Sequence, residues 1–407
     1  MSPERRTPAN DAKLKIGAEV EVEVERILPG GMGLAHAHGQ TLMVALAAPG
    51  DRVRVRVQNV RGAVVFASIV EVVTPSPVRV APPCQYFGRC GGCDFQQLTY
   101  EAQLAAKAEI IRDCLRRVAH IEPPAEILIT PSPAAWHYRS RAQWQYDRDG
   151  EQLGYFERGS HKVCDVIECP VIVPELQTLL SGLREGIIVG SLPEATTEFQ
   201  AVAGDDGAVA FAPPVWETDV VATSRTINGE RYSFDADCFF QINHALLAPL
   251  VTEAVRDARG ELAVDLYCGV GLFTLPLARR FTRVIGIEGS ATACAYARRN
   301  LADAGLTNGR VASDSVEEWL AAHAALIAPI DFVLLDPPRA GAGAAVVKGI
   351  INLRPRRIAY VSCDPATLAR DLRSLTENGY RLDSVAAFDM FPQTHHVETI
   401  VHLAPAK

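Results

Sequence analysis

The stretch Val264-Asp265-Leu266-Tyr267-Cys268-Gly269-Val270-Gly271 constrains this chain more than any other. Its apolar start reads as a buried strand, and its end as a glycine-rich turn leading into a helix. Further apolar runs of strand length follow at 284–288, 332–336 and 357–362, separated by segments of helical periodicity. Strands alternating with helices predict a doubly wound α/β sheet, which binds its ligands at the carboxyl ends of the strands. Residues 236–407 are expected to form that domain.

Several of these strands end on residues that could hold a nucleotide-like cofactor. Gly269 lets the backbone approach a ligand closely. Glu288, twenty-three residues past Asp265, is placed to accept both hydroxyls of a ribose, and Asp314 is suited to an adenine amino group. Nicotinamide dehydrogenases use a similar turn and acid, so these residues alone leave two cofactor classes open. The turn, however, is Asp-x-x-Cys-Gly-x-Gly rather than G-x-G-x-x-G, and the fourth strand ends in Asp336-Pro337-Pro338-Arg339. That signature resembles S-adenosylmethionine methyltransferases acting on bases.

The rest of the chain is organised differently. Short alternating runs around Val20-Glu21-Val22-Glu23-Val24, Thr41-Leu42-Met43-Val44 and Val53-Arg54-Val55-Arg56-Val57 predict a small β-barrel over 11–73, followed by a proline-rich linker. A helix is expected over 100–118 and another at 174–184, within a central domain spanning 80–235 whose stretch 136–216 is otherwise strand-like. The N-terminus has no apolar core of a signal peptide and no run is long enough to span a membrane, which predicts a cytoplasmic protein. A net charge of -8 looks wrong for a nucleic-acid binder, but residues 1–170 carry 20 Lys+Arg against 20 Asp+Glu, and the remainder 20 against 28. The acidity therefore lies in the C-terminal part, which leaves room for basic faces such as Arg52, Arg54, Arg56 and Arg61 in front.

Ten cysteines in such a chain argue for thiols, metal ligands or catalysis rather than disulfides. Cys84, Cys90, Cys93 and the distant Cys169 supply four thiolates, enough for a [4Fe–4S] cluster and equally suited to zinc. Cys164 is off this pattern. Cys114, Cys238 and Cys294 read as small buried apolar residues, and Cys268 as packing within the turn. Cys363, in Ser362-Cys363-Asp364-Pro365, ends the fifth strand at the ligand-binding edge, where a thiol is exposed enough to act as a nucleophile. Glu398, just before the last apolar run, is a candidate base, whereas His395 and His396 beside it read as structural or solvated.

Taken in order, Phe239-Phe240-Gln241-Ile242-Asn243, Asp265 to Gly271, Asp336 to Arg339, Ser362 to Pro365 and His396 to Thr399 resemble the bacterial RNA 5-methyluridine methyltransferases that carry an N-terminal TRAM domain. The resemblance implies a class I, Rossmann-like methyltransferase domain behind an OB-like barrel and a mixed iron–sulfur and RNA-binding domain. It implies transfer of a methyl from S-adenosylmethionine to carbon 5 of a uridine, with Cys363 as nucleophile, Glu398 as proton acceptor, and Gln241, Tyr267, Glu288 and Asp336 as cofactor contacts. It favours the cluster over zinc, 23S ribosomal RNA over the T-loop of transfer RNA, and places Arg139 near the target loop. Leu272 departs from relatives that carry Asn there, which puts one cofactor hydrogen bond in doubt. A monomer is expected. Two rival readings are a nicotinamide oxidoreductase, which leaves Cys363 idle, and a non-catalytic RNA-binding iron–sulfur protein.

Overall fold

The computed structural model describes residues 13–193, 195–205, 207–216, 221–323 and 329–406. The polar N-terminal segment, with the first two residues of the expected barrel, lies outside them.

Alternation in the front segment produces a curled six-stranded sheet, in the order Glu19–Glu23, Arg52–Arg61, Val64–Thr74, Gln40–Ala45, Gly33–Ala37, Arg26–Ile27. Val53, Val55 and Val57 point into its core with Val22, Leu42, Val44 and Val65, while the intervening arginines point out. Those arginines are exposed but paired with acidic neighbours, which offsets the charge of the expected basic face. Strand pairing sets Glu21 and Glu19 beside Arg54 and Arg56, and Arg52 bonds Glu21, Arg54 bonds Glu71 and Arg56 bonds Glu19.

Behind the barrel, an antiparallel five-stranded sheet in the order Val163–Asp165, Gln152–Phe156, Arg141–Asp147, Glu198–Ala203, Val209–Ala212 is covered by helix Pro174–Ile188. Trp144, Leu153, Leu176, Leu180 and Phe199 fill the space between. The expected 100–118 helix is Tyr100–Cys114, capped by Thr99 and continued by one π-helical stretch, Leu115–Ala119. Its buried face does not join the central sheet. Ala106, Ile110, Ile111 and Cys114 pack instead with Leu368, Leu372 and Leu375 of helix Pro365–Glu377. Hairpin Ala222–Ile227 and Glu230–Asp235 likewise buries Ile227, Tyr232 and Phe234 against Leu247, Leu250 and Leu275. These apolar faces cross the expected boundary at 235/236 and weld the central segment to the C-terminal sheet.

That sheet has eight strands, in the order Gly309–Ser313, Phe281–Glu288, Gly260–Leu266, Phe332–Leu335, Ile358–Ser362, Glu398–Pro405, Tyr380–Phe388, Ile129–Thr130. The first five are parallel, with strand order reversing on either side of Gly260–Leu266. This is the expected doubly wound layout, and the reversal opens a crevice at the carboxyl edge. Glu398–Pro405 then runs antiparallel between Ile358–Ser362 and Tyr380–Phe388. Among the described residues no helix is long and apolar enough to cross a membrane.

Candidate active site

The glycine-rich turn leaves strand Gly260–Leu266 through three residues of positive φ, Tyr267 at 63°, Gly269 at 54° and Gly271 at 95°. Tyr267 holds that conformation at a cost of about 1–3 kcal/mol, a strain that clusters at functional sites. A Cβ on Gly269 would meet nothing within 4 Å, so the turn presents open backbone to the crevice. Glu288 braces it: Oε2 accepts from Gly269 N at 3.0 Å and Oε1 from Ser290 N at 2.7 Å. Asp314 N donates to the Glu288 carbonyl at 3.0 Å, bringing the two acidic residues together on one edge. Leu272 is buried in the core, and its carbonyl accepts from Tyr232 Oη at 3.3 Å.

Deeper in the crevice the carboxylates lose water. Burial pushes the Asp265 carboxyl up to about 7, although Thr274 Oγ1 donates to it at 2.5 Å. Asp336, also pushed to about 7 by burial, accepts from Gln241 Nε2 at 3.2 Å. Gln241 itself is buried, but Phe239, two residues earlier in the same motif, is 65% exposed.

Cys363 and Glu398 meet because of strand register. Ser362 pairs with Thr399 at the end of the ladder between strands Ile358–Ser362 and Glu398–Pro405, so the residues just beyond that pair, Cys363 and Glu398, are brought together. Burial pushes the Cys363 thiol up to about 12, the Glu398 charge adds to that rise, and the Arg339 guanidinium opposes it. Asp364 caps helix Pro365–Glu377, accepting from Ala366 N and Thr367 N, and so sets Cys363 just ahead of a thirteen-residue helix whose N-terminal dipole favours a thiolate. Glu398 is 1% exposed, and its Oε1 has no hydrogen-bond partner among the described residues. Burial, then the Asp336 charge, raises its carboxyl well above the usual range, whereas Arg339 lowers it. A buried carboxyl with an oxygen left free of hydrogen bonds, beside a thiol, is placed where a base could act.

The sequence had named Arg339 only as part of a motif; its charge bears on Cys363, Glu398 and His396 together. Burial drives the His396 imidazole down to about 3, and its ring lies tilted against that of His395, with centroids 4.1 Å apart.

A second site lies in the central segment. Cys84, Cys90, Cys93 and Cys169 line one cavity, walled by Phe87, Tyr155, Val166 and Val171. Arg139 lines the same cavity, its charge acting on Cys93 and Cys169. Burial raises the Cys90 thiol to about 11 and the Cys93 thiol to about 12. Cys164 stays outside the cavity lining, its Sγ receiving Arg89 Nε at 3.3 Å. Among the described residues no three His, Cys, Asp or Glu side chains converge closely enough to hold a metal ion as they stand.

Comparison with known proteins gives a consistent result. The family described as tRNA (Uracil-5-)-methyltransferase matches residues 214–406, and the TRAM domain matches residues 13–70. A Thiobacillus denitrificans protein named 23S rRNA (uracil(1939)-C(5))-methyltransferase RlmD is 35% identical, over 91% of this chain and 96% of its own. An uncharacterized RNA methyltransferase of Thermosynechococcus vestitus is 32% identical, over 95% and 98%. Among solved structures, the Pyrococcus abyssi tRNA (uracil-54, C5)-methyltransferase in complex with S-adenosyl-L-homocysteine superposes with a TM-score of 0.70 at 26% identity, covering 94% of this chain and 100% of that one.

Proposed function

Since this chain belongs to the S-adenosylmethionine-dependent RNA (uracil-C5) methyltransferases and carries their TRAM domain, we propose that it methylates a uridine of 23S ribosomal RNA through a covalent bond between Cys363 and the pyrimidine ring. The observation that carries the mechanism is the meeting of Cys363 and the buried Glu398 at the crevice. The nicotinamide reading leaves both idle.

Bound S-adenosylmethionine supplies an electrophilic methyl group. Glu288 takes the ribose hydroxyls and Asp314 the adenine amino group, with Gly269, Tyr267, Gln241 and Asp336 completing the cradle. Carbon 5 of uracil is a weak nucleophile until the ring is activated. Cys363 Sγ bonds to carbon 6, pushing electrons to carbon 5, which takes the methyl from the sulfonium sulfur and leaves S-adenosylhomocysteine. Glu398 then removes the carbon-5 proton, the carbon 5–carbon 6 double bond re-forms, and Cys363 leaves as thiolate. Arg339 stabilises that thiolate before attack and after release.

The target uridine leaves its stack to reach Cys363, and the exposed Phe239 offers a face to stack on. Within this division of labour, residues 11–73 engage RNA, 80–235 carry the cysteine site and 236–407 perform the chemistry. Both reacting side chains come from one chain, in keeping with a monomer acting on ribosomal RNA in the cytoplasm.

The four cysteines suit a [4Fe–4S] cluster. They face one cavity walled by apolar side chains, with Arg139 to balance anionic thiolates. Four thiolates suit zinc equally well, and the preference for the cluster rests on the family resemblance. Such a cluster supplies a rigid knot holding Cys84, Cys90, Cys93 and Cys169, and the methyl-transfer steps need nothing from it.

The relatives named for 23S ribosomal RNA, at 32–35% identity, favour that substrate over transfer RNA. Mass mapping of 5-methyluridine in cells lacking the protein tests it. Loss of one methyl from 23S ribosomal RNA is expected; loss from transfer RNA alone transfers the assignment to the T-loop.

A further inference from the structure

Glu398 is delivered to the site by the loop 389–397, and that loop is fastened from outside the methyltransferase sheet. Gln393 within it takes φ 68°, a left-handed conformation that a non-glycine residue keeps only where its surroundings impose it. Gln103 imposes it through two exchanged hydrogen bonds: Gln393 N donates to Gln103 Oε1 at 2.9 Å, and Gln103 Nε2 to Gln393 Oε1 at 3.0 Å. Asp94 N and Phe95 N both donate to the Gln393 carbonyl, at 3.1 and 3.0 Å. Lys107, fully buried, pairs with the equally buried Asp389 and donates to the Phe391 carbonyl at 3.1 Å.

Two residues further on, Asp94 grips His395 by backbone and ring together. Its Oδ1 accepts from His395 N at 2.8 Å and its Oδ2 meets Nδ1 at 2.5 Å. The barrel closes the joint. A Cβ on Gly31, in the loop between strands Arg26–Ile27 and Gly33–Ala37, would lie 3.0 Å from His395 Cβ and 3.1 Å from Asp94 Oδ2, at a φ of 76° that already disfavours any other residue. Three separate parts of the chain thus converge on the residue three positions ahead of the base. Packing of the barrel does not require it, since its own core lies among the valines.

We propose that Gly31, Asp94 and His395 are positioning residues that set Glu398 for proton removal, so that seating of the RNA-binding barrel is coupled to the last chemical step. This rests on the roles given above to Cys363 and Glu398. After Cys363 Sγ has bonded to carbon 6 and carbon 5 has taken the methyl, one proton remains on carbon 5. Its passage to Glu398 re-forms the ring double bond and breaks the Sγ–carbon 6 bond. A misplaced Glu398 stalls the reaction there, after methyl transfer and before release. None of the three residues lies in the cofactor turn or beside the thiol, so earlier steps are spared.

The test uses the full-length protein, a ribosomal RNA fragment with an ordinary uridine, and S-adenosylmethionine labelled in its methyl group. Gly31→Ala, Asp94→Ala and His395→Ala are compared with Glu398→Gln. Turnover in the three is expected to fall about ten- to a hundredfold, the scale of a catalytic group displaced by about 1 Å. S-adenosylmethionine affinity is expected to stay unchanged while a denaturant-resistant, labelled protein–RNA complex accumulates, as is expected of Glu398→Gln. Asp94→Asn, which keeps an acceptor for His395 N, should recover most of the turnover. Gly31→Ala and His395→Ala leave the residue next to Cys93 untouched, which separates the joint from the cysteine site. If Glu398→Gln accumulates the complex and these variants do not, or if their turnover is normal, the joint has no positioning role. If Glu398→Gln itself accumulates none, the underlying assignment of the base falls, and the joint with it.

Discussion

The two reacting side chains meet at the ends of neighbouring strands, yet they are supported in unlike ways. Cys363 is held locally: its strand ends at Ser362, and Asp364 caps the helix that follows. Glu398 opens its strand at the end of a loop tied down by Asp94, Gln103 and Lys107, roughly three hundred residues away in sequence. A nucleophile fixed by its own motif and a base fixed by the whole molecule can be disturbed separately. The first governs whether the ring is activated, the second whether the product leaves.

That difference is open to direct attack. The largest effect is expected of Cys363→Ala, which should lower methyl transfer by about 10⁴-fold or more while leaving S-adenosylmethionine binding intact; methyl-label incorporation beside calorimetric titration of the cofactor checks both halves. Next comes Glu398→Gln, expected to slow turnover about 10²- to 10⁴-fold and, unlike the thiol variant, to hold RNA covalently through denaturing electrophoresis. If both variants lost activity without any adduct, the division between activation and release would collapse. Glu288→Ala should act on neither step: its loss is expected to weaken the cofactor by about 1.5–3 kcal/mol, about 10- to 150-fold in Kd, with turnover recovered at saturating cofactor.

The smallest effect is on stability. The Asp265 carboxyl is raised by burial from 3.8 to about 7. A group raised on folding favours the native state most below its unfolded value, and that contribution is lost as pH climbs through the folded value. Between pH 4 and 7 the Asp265 contribution should therefore decline with rising pH. Urea unfolding of the parent and Asp265→Asn at pH 5 and pH 8 should show a smaller decline, or a larger gain, in the variant. A parallel response of the two proteins would mean that Asp265 stays ionised.

What could be read from the sequence follows the same split. The cofactor turn, Glu288, Asp314 and Cys363 sit at strand ends in short contiguous motifs, where local pattern fixes position. The four cysteines announced themselves by residue type, and the fold brings all of them to one cavity. The fastening of Glu398 could not be seen, because Asp94 and His395 become neighbours only after the central helix packs on the sheet, and neither residue type signals the other. The place of Arg139 beside Tyr155 and the cysteines is hidden for the same reason, since no short motif links them. The arginine strand is a different lesson. Glu19, Glu21 and Glu23 alternate as Arg52, Arg54 and Arg56 do, and pairing the two strands puts the charges opposite each other. That alternation is legible in the sequence from both strands together.

The bond between Cys363 and the ring is tested most directly by trapping it. With a ribosomal RNA fragment carrying 5-fluorouridine at the target, carbon 5 holds fluorine where Glu398 would take a proton, so the reaction should halt after methyl transfer with protein and RNA joined. Digestion and mass spectrometry are expected to find the methylated fluorouridine on the peptide containing Cys363. An adduct on another cysteine, or full methylation of ordinary RNA by Cys363→Ala, would contradict it.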